Sequence, residues 1–436
     1  MVYNIILGRD HADKKLFGDS GLVYLGKGYV KMGSYTSLSN KIWMDVARSH
    51  AVLIAGKRGS GKSYTLGSIA EELSSLPSEV SKNIASIIFD TMGIFWTMKY
   101  ENDKDRVLLD EWELKPKSLP VKVFIPFGKI EEYKKKGIPI DNTFALRASE
   151  LEAEDWIVLF NLDMTSLPGV LIERIVSELK EREQNFSIGE IQEAIQNDND
   201  GSKEAKEIVS GLFKAANTWG IFSKDKNGTE ISDLINAGAT TVIDVSVYSS
   251  IGAFNVRALV ISLIIRKLFA SRMDARRKEE MEAIHHGQDY LTYKMNRQEP
   301  LIWIFIDEAH EFLPKEGKTP ATDALIQVLR EGRQPGLSIV LATQQPGQIH
   351  KDVMTQSDIV ISHRVTAKQD IDALNEIMQT YALESIRQQM DDLPHVKGAA
   401  IILDDNSERI YPVRIRPRFT WHGGEAPTAL KAERIL

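Results

Sequence analysis

The chain has 436 residues, of which 43% are hydrophobic, and a formal net charge of −7. This length is enough for two or three structural units, and the composition is that of an ordinary globular protein. Because the sequence holds no cysteine, a disulfide framework, a thiol nucleophile and a cysteine zinc site are excluded. The negative net charge argues against a surface that is basic throughout, although a local nucleic-acid channel stays compatible with it.

No apolar stretch approaches the ~20 residues that a membrane helix needs. The most continuous one, ALVISLII at 258–265, is followed at once by Arg266 and Lys267. The N-terminal sequence MVYNIILGRDHADKK lacks the basic start and the small-residue cleavage site of a signal peptide. We therefore predict a cytoplasmic protein with no membrane partner.

In chain order, a short β segment leads into a buried sheet. Residues 1–45, with GLVYLGKGYVKMG at 21–33, form the predicted segment. Eight apolar, β-branched runs follow, which are typical of buried strands in a mostly parallel sheet. Helical patterns such as those at 63–76 and 255–283 lie between several of them, so we predict a three-layer α/β domain. The runs are AVLIAG (51–56), ASIIFD (85–90), VKVFIP (121–126), TTVIDV (240–245), LIWIFID (301–307), SIVLATQ (338–344), DIVISHRV (358–365) and AAIILD (399–404).

One region breaks this alternation. Residues 142–235 show only helical periodicity, as in LIERIVSELKEREQ, SIGEIQEAIQ and AKEIVSGLFKAANTWGI. We predict an all-helical insertion there. It would divide the core into a first part at 46–141 and a second part at 236–420, and residues 421–436 would form a C-terminal tail.

A phosphate-binding loop follows the first apolar run of the core. The sequence GKRGSGKS at 56–63 fits G-x-x-x-x-G-K-[ST], with a strand before it and a helix after it. Its glycines let backbone N–H groups curl around the phosphates of ATP, while Lys62 would reach the β- and γ-phosphates and Ser63 would bind Mg²⁺. The alternative is a glycine-rich turn without a ligand. The predicted nucleotide-binding residues are Gly56, Gly59, Ser60, Gly61, Lys62, Ser63 and Tyr64.

The run at 301–307 ends on two adjacent carboxylates, Asp307 and Glu308. Such neighbours repel each other and resist desolvation unless a cation faces them. We predict that Asp307 holds the Mg²⁺ shell and that Glu308 orients and polarises the attacking water. Alternatively, both acids cap the helix that begins at EAHEF. His310 either relays the presence of the γ-phosphate or packs beside the site.

The segment LREGRQPGLSIVLATQQP at 329–346 carries three further candidates. Gln344, at the end of its strand, can sense the γ-phosphate by hydrogen bonding. Arg333 lies where one chain can present a guanidinium to its neighbour's nucleotide, because the preceding helix should carry it away from its own phosphate loop. Arg330 is the next candidate for that role. Surface salt bridges are the alternative for either arginine.

Three basic clusters are candidates for DNA contact: YKKKG at 133–137, RMDARRK at 272–278 and VRIRPR at 413–418. Solvated helix faces and loops give the same pattern. Lys315 and Lys318, in the loop PKEGKTP after the acid pair, are candidates for contacts in a pore.

Taken together, the motifs resemble the HerA branch of the HerA/FtsK family of hexameric DNA-translocating ATPases. They are RSHAVLIAGKRGSGKS, IIFDTMGIF, FIDEAH, REGRQPGLSIVLATQQP and RPRFTWHGGEAP, and they cover residues 45–427. The resemblance implies a RecA-like core with a helical insertion, assembled as a homo-hexamer around double-stranded DNA and often working with a NurA-type nuclease. It places the roles given above on Lys62, Ser63, Asp307, Glu308, Gln344 and Arg333. Arg48 of RSH matches a family arginine near the nucleotide.

The N-terminus departs from the family pattern. Family members usually begin with a β-barrel longer than the 45 residues that precede the core here. We therefore expect at most a reduced barrel, and the partner is either a NurA-type nuclease or another effector, such as one from an antiviral defence system.

The predicted function is ATP-driven movement along duplex DNA that feeds this partner, in DNA repair or in defence. The competing hypothesis is a ring scaffold that assembles and controls an effector without obligatory translocation. The late motifs do not favour a third class, a protein-remodelling ATPase.

Overall fold

The computed structural model describes residues 4–32, 35–249, 254–286, 299–378 and 386–424. Its strands are β1 (Ile5–Leu7), β2 (Leu22–Met32), β3 (Tyr35–Asp45), β4 (Ala51–Ala55), β5 (Ile84–Asp90), β6 (Val121–Pro126), β7 (Asn142–Phe144), β8 (Thr240–Asp244), β9 (Leu301–Ile306), β10 (Leu337–Thr343), β11 (Ile359–His363), β12 (Ala399–Asp404) and β13 (Arg409–Ile415). Its α-helices are α1 (His11–Phe17), α2 (Lys62–Leu73), α3 (Ser78–Ser81), α4 (Arg106–Glu111), α5 (Ile130–Lys135), α6 (Ala153–Leu159), α7 (Leu167–Arg182), α8 (Ile188–Asn197), α9 (Lys203–Thr218), α10 (Ile231–Leu234), α11 (Phe254–His286), α12 (Thr322–Glu331), α13 (Lys351–Gln356), α14 (Lys368–Met378) and α15 (Ile386–Asp391).

All strands of the described residues belong to one sheet, in the order β1-β3-β2-β13-β12-β11-β4-β10-β9-β5-β8-β6-β7. From β11 to β7 the strands run parallel to one another. On the other side, β12, β13, β2 and β3 continue the sheet as antiparallel neighbours. The predicted α/β core with a mostly parallel sheet is therefore confirmed.

Each of the eight apolar runs forms a strand, and β12 is the one that runs antiparallel to its parallel-sheet neighbour. These strands are buried on both faces. In β9, for example, Ile304 and Ile306 pack into one hydrophobic cluster, while Trp303 and Phe305 pack into the other. Because both faces are covered, the sequence of such a strand is apolar throughout instead of alternating.

Helices α6 to α10 lie inside the predicted helical insertion, and they share the hydrophobic cluster of one sheet face. Trp156 of α6 is fully buried, with its ring 4.8 Å from that of Phe213 in α9 and 5.1 Å from that of Phe222. One detail differs from the prediction, because residues 142–144 form strand β7 and extend the parallel sheet beside β6. The boundaries of the structural units stay a prediction.

The N-terminal strands do not stand apart from the core. Strand β2 pairs with β13 through Gly26, Lys27 and Gly28, so β1 to β3 extend the main sheet. A Cβ on Gly26 would lie 2.1 Å from the carbonyl oxygen of Arg414, so the close approach of β13 requires glycine at this position.

Three basic residues proposed for DNA contact lie inside the protein, so the interpretation is wrong for these three. Arg272, Arg416 and Arg418 are fully buried, and the Arg272 Nε donates to the carbonyl oxygen of Pro335 at 2.8 Å. No helix in the described part of the chain is both long and apolar enough to span a membrane.

Candidate nucleotide site

The carboxyl ends of β4, β10 and β9 bring the predicted motifs together. In this parallel set, Ala55 lies beside Thr343, and Leu341 lies beside Ile306. Residues that directly follow these strands therefore meet at one edge of the sheet, which is where ligands bind in α/β folds. The phosphate loop, Gln344 and the acid pair all leave the sheet at this edge.

The phosphate loop needs its glycines for two reasons. Gly59 and Gly61 have φ angles of 76° and 117°, in the left-handed region that disfavours side chains. A Cβ on Gly56 would lie 2.5 Å from the Ser60 Oγ and 2.7 Å from the His363 Cβ. Helix α2 begins directly after Gly61, so its first backbone N–H groups are available to an anion.

Lys62 is buried behind the loop and faces the acid pair. Its Nζ donates to the carbonyl oxygen of Lys57 at 3.2 Å. Burial lowers the pKa of this amine, while the nearby carboxylates of Glu308 and Asp307 act in the opposite direction. The Lys62 amine thus lies between the loop and the two acids.

Asp307 is buried beside Ser63. Burial raises its pKa, while hydrogen bonds from the Ser63 hydroxyl and from the backbone N–H of Glu308 (2.9 Å) partly offset that effect. A hydroxyl and a carboxylate oxygen form a donor set that suits Mg²⁺, which is usually held by one or two protein oxygens together with phosphates and water. The residues present therefore fit this ion.

Glu308 combines an uncommon backbone conformation with a raised pKa. Its backbone is left-handed (φ 52°, ψ 44°), a conformation that is uncommon outside glycine. Burial, followed by the charge of Asp307, raises its pKa to about 7, and a hydrogen bond from the Gln344 side chain counteracts this shift. The Oε2 atom is buried and has no hydrogen-bond partner within the described residues; a bound water or ligand would satisfy such an atom.

His310 lies in the same cluster. Its Nδ1 is 3.2 Å from the Thr343 Oγ1 and 3.6 Å from the Glu308 Oε2. Burial lowers the pKa of His310 to about 4, so the ring is neutral at neutral pH and does not form an ion pair with Glu308. The structure places His310 beside the site, and its role in relaying the presence of the γ-phosphate stays a prediction.

A second histidine, His363, holds the helix that follows the phosphate loop, and sequence reasoning missed it. His363, at the end of β11, donates from Nδ1 to the carbonyl oxygen of Ala399 (3.1 Å), and its Nε2 accepts from the Thr65 hydroxyl (2.8 Å). Burial lowers the pKa of His363 to about 4. This neutral ring ties the first turn of α2 to β11 and β12.

The C-terminal segment around Arg416 and Arg418 also binds helix α2. Arg416 and Arg418 reach the fully buried carboxylate of Glu71 in α2, at 3.0 and 2.8 Å. The Tyr64 hydroxyl accepts from the backbone N–H of Arg418 (2.6 Å), and its ring meets His422 edge-on. The Tyr64 side chain therefore points towards this C-terminal segment. The signal in the sequence that could have found this contact is a glutamate on the apolar face of α2, which would need a buried cation as its partner.

Three predicted arginines lie at the other edge of the sheet. Arg333 precedes β10 and contacts Asp358 at 3.1 Å, Arg330 contacts Asp352 at 2.6 Å, and Arg48 precedes β4. The arginine side chains are 64%, 55% and 41% exposed, respectively. Because β10 has seven residues, about 20 Å separates this edge from the phosphate loop. The structure does not bring these arginines to the nucleotide site of their own chain.

The two predicted pore lysines lie in the exposed loop between the acid pair and α12. Lys318 pairs with Asp323 at 2.9 Å, and both side chains are largely exposed. Lys315 is exposed as well, and its backbone N–H donates to the carbonyl oxygen of Gln348.

The fold and this site define a P-loop NTPase with a RecA-like core. Among protein families, the model of the central domain of helicase HerA matches residues 30–268, which is more than half of the chain. The chain therefore belongs to the HerA central-domain family of P-loop ATPases. A model of zonular occludens toxin (Zot) matches residues 276–373.

Two curated relatives are DNA double-strand break repair helicases named HerA. The Pyrococcus furiosus protein is 26% identical over 184 residues, which cover 39% of this chain and 31% of the relative. The Saccharolobus solfataricus protein is 21% identical over 376 residues, which cover 85% of this chain and 64% of the relative. The chain thus spans less than two thirds of either relative. The solved structure of VirB4 of Thermoanaerobacter pseudethanolicus shares the fold, with a TM-score of 0.54 at 12% identity over 92% of this chain and 97% of that one.

Proposed function

We propose that this chain is the subunit of a homo-hexameric ring that hydrolyses ATP to move along double-stranded DNA and supplies the DNA to a NurA-type nuclease or another effector protein. The observation that carries the proposal is the division of the site between two edges. The acids and the phosphate loop lie at the carboxyl edge, while the exposed arginines lie at the amino edge. Packing of subunits in a ring would join the two edges.

Within one subunit, the phosphate loop and the start of α2 would bind the phosphates of ATP, with Lys62 against the β- and γ-phosphates. Ser63 and Asp307 would hold Mg²⁺, which, when bound, neutralises phosphate charge. Glu308 accepts the proton of the attacking water, for which a pKa near neutrality is suitable. Gln344 holds the Glu308 carboxylate in position.

The neighbouring subunit would complete this site. A guanidinium placed at the γ-phosphate stabilises the charge that develops during phosphoryl transfer. Arg333 is the most exposed of the three arginines, and its buried partner leaves most of the guanidinium facing outwards. We assign it this role. Arg330 is the next candidate, and Arg48 would lie near the same nucleotide.

DNA as the substrate is supported by the two HerA repair helicases among the relatives. The test is ATP hydrolysis measured with and without duplex DNA, together with binding of labelled duplex over a series of salt concentrations. We expect DNA to stimulate turnover and binding to weaken steeply with salt, because several phosphate contacts release counterions. Lys62→Ala serves as the control without turnover. Rings that neither bind duplex at low salt nor respond to it would favour the scaffold function over the motor.

A further inference from the structure

We propose that His50 and Asp358 are positioning residues, which hold Arg333 ready for the neighbour's nucleotide and connect it to the N-terminal β segment. This inference rests on the role proposed for Arg333 between subunits. It concerns a chain of charged groups at the amino edge of the sheet, buried except for Arg333 and named here the ion chain: Arg9, Asp45, His50, Asp358 and Arg333.

The centre of the ion chain is an imidazole between two carboxylates. The His50 Nδ1 lies 2.7 Å from the Asp358 Oδ2, and its Nε2 lies 3.2 Å from the Asp45 Oδ2. Each ring nitrogen therefore faces an acceptor, which requires a proton on both nitrogens. All three side chains are buried. A buried charge is stable only when it is paired, and here one imidazolium serves two carboxylates.

Asp358 links this centre to the exposed arginine. The same Oδ2 atom that contacts His50 lies 3.1 Å from the Arg333 Nη2, while the Oδ1 accepts from the backbone N–H of Ala51 at 2.9 Å. Since His50 takes a share of the Asp358 charge, Arg333 is held by one nitrogen and can exchange this contact for a phosphate. An unshared carboxylate would bind the guanidinium more tightly to its own subunit.

Asp45 links the centre to the N-terminal segment. Its carboxylate accepts from the Arg9 Nε at 2.8 Å and from the backbone N–H of Arg48 at 3.1 Å. The His50 ring also packs against Gly8, where a Cβ would lie 2.7 Å from the Cε1 atom. The ion chain therefore links β1, β3, β4 and β11 to Arg333. Through its backbone N–H, Arg48 is joined to the same ion chain. A partner that binds the N-terminal strands would act on the same groups.

The test compares Asp358→Asn and His50→Gln with Arg333→Ala. We expect both variants to lower kcat at least tenfold while the KM for ATP stays within about twofold, since they leave the phosphate loop intact. Asp352→Asn is the matched control, because Asp352 is a buried partner of the neighbouring Arg330. It should turn over ATP like the unaltered chain. Thermal unfolding checks that each variant is folded. If His50→Gln does not fold, the result with Asp358→Asn alone decides the test.

Mixed assemblies separate positioning from general damage. Asp358→Asn should regain activity when mixed with Lys62→Ala, which has an intact amino edge, but not when mixed with Arg333→Ala. If Arg333→Ala is inactive while Asp358→Asn and His50→Gln hydrolyse ATP normally, the inference fails and the role of Arg333 stands. If Arg333→Ala itself is fully active, the role proposed for Arg333 is wrong, and the inference that rests on it is wrong as well. A loss of activity in Asp352→Asn alone would transfer both roles to the pair of Arg330 and Asp352 and overturn the inference.

Discussion

Gln344 and Glu308 follow neighbouring parallel strands, and the amide side chain of Gln344 hydrogen-bonds to the Glu308 carboxylate. The other carboxylate oxygen, Oε2, stays without a partner within the described part of the chain. One oxygen is thus held by the protein, while the buried Oε2 keeps a hydrogen-bonding capacity that the described residues do not use. This arrangement suits a residue that must hold a water molecule in a single direction.

Glu308→Gln should separate binding from chemistry. The amide keeps the shape of the side chain but cannot accept a proton, so we expect ATP to bind normally and turnover to fall about 10²–10⁴-fold. Lys62→Ala should abolish turnover as well, because the phosphate loop then loses the buried amine that faces Asp307 and Glu308. Equilibrium binding of a fluorescent ATP analogue and single-turnover hydrolysis measure the two steps. Normal turnover in Glu308→Gln would remove this residue from the proposed role.

Gln344→Ala should change the pH dependence of hydrolysis. The hydrogen bond from Gln344 lowers the pKa of Glu308, which burial has raised to about 7, so its loss should raise that pKa further. A base works in its deprotonated form, and the acid limb of the kcat/KM profile should therefore move to higher pH. The rate deficit of the variant should be larger at about pH 6 than at about pH 8.5. An equal deficit at both pH values would contradict this coupling.

Asp244→Asn should stabilise the protein in neutral and alkaline solution. Asp90 and Asp244 lie side by side at the ends of β5 and β8, and burial together with the charge of Asp244 raises the pKa of Asp90 to about 8. The folded state therefore retains a proton that the unfolded chain releases near pH 4, and stability falls as the pH rises from about 4 to about 8. The Asp244 Oδ2 is buried without a partner in the described structure, while its Oδ1 accepts from the Tyr133 hydroxyl at 2.8 Å.

An asparagine keeps the acceptor for Tyr133 and offers an amide donor in place of that free oxygen. We expect the free energy of unfolding to rise by about 2 kcal/mol at pH 8, with little change at pH 4, since neutralising one member of a buried carboxylate pair removes their repulsion. Urea unfolding at both pH values measures the effect. A loss of stability at pH 8 would show that the second carboxylate is needed in its charged form.

Glu71→Gln should destabilise the protein by about 3–5 kcal/mol, because it removes the anion from the buried guanidinium of Arg418 and leaves Arg416 with Glu72 alone, at 2.8 Å. Burial by itself would raise the pKa of Glu71, but the charges of Arg418 and then Arg416 hold this pKa below its usual range. The contribution of Glu71 to the free energy of unfolding is therefore present above about pH 4.5 and is lost as the pH falls through the lowered pKa. Glu72→Gln is the comparison on the same helix: Glu72 contacts Arg416 at 2.8 Å, but burial raises its pKa, so we expect its substitution to have the smaller effect. Equal effects of the two substitutions in urea unfolding would contradict the assignment.

The sequence was sufficient for the buried strands, because continuous apolar runs leave few alternatives in an α/β protein. It was also sufficient for the phosphate loop and for the pairing of the acids with it, since both follow directly from strand ends. Strand β13 was missed. Its segment, Arg409–Ile415, includes the start of a basic cluster, and the final arginines of that cluster are buried against Glu71.

The long-range ion contacts were beyond the sequence for a physical reason. The contact between His50 and Asp358 joins the start of β4 to the start of β11, and only the strand order makes these residues neighbours. The same holds for Thr65 and His363. Neither pair has a local pattern, so the strand order had to be known before either contact could be inferred.

The central claim is that each nucleotide site is completed by the next subunit, and mixing two inactive variants tests it most directly. Lys62→Ala lacks a working phosphate loop and retains Arg333, while Arg333→Ala has the opposite defect. Each alone should be nearly inactive, with a loss of roughly a thousandfold or more for the missing arginine, although Arg333→Ala should still bind ATP. In the mixture, some interfaces pair an intact loop with an intact arginine, and we predict that hydrolysis returns. Normal hydrolysis by Arg333→Ala alone, or a mixture that stays inactive although mixed rings are shown to form, would contradict the claim.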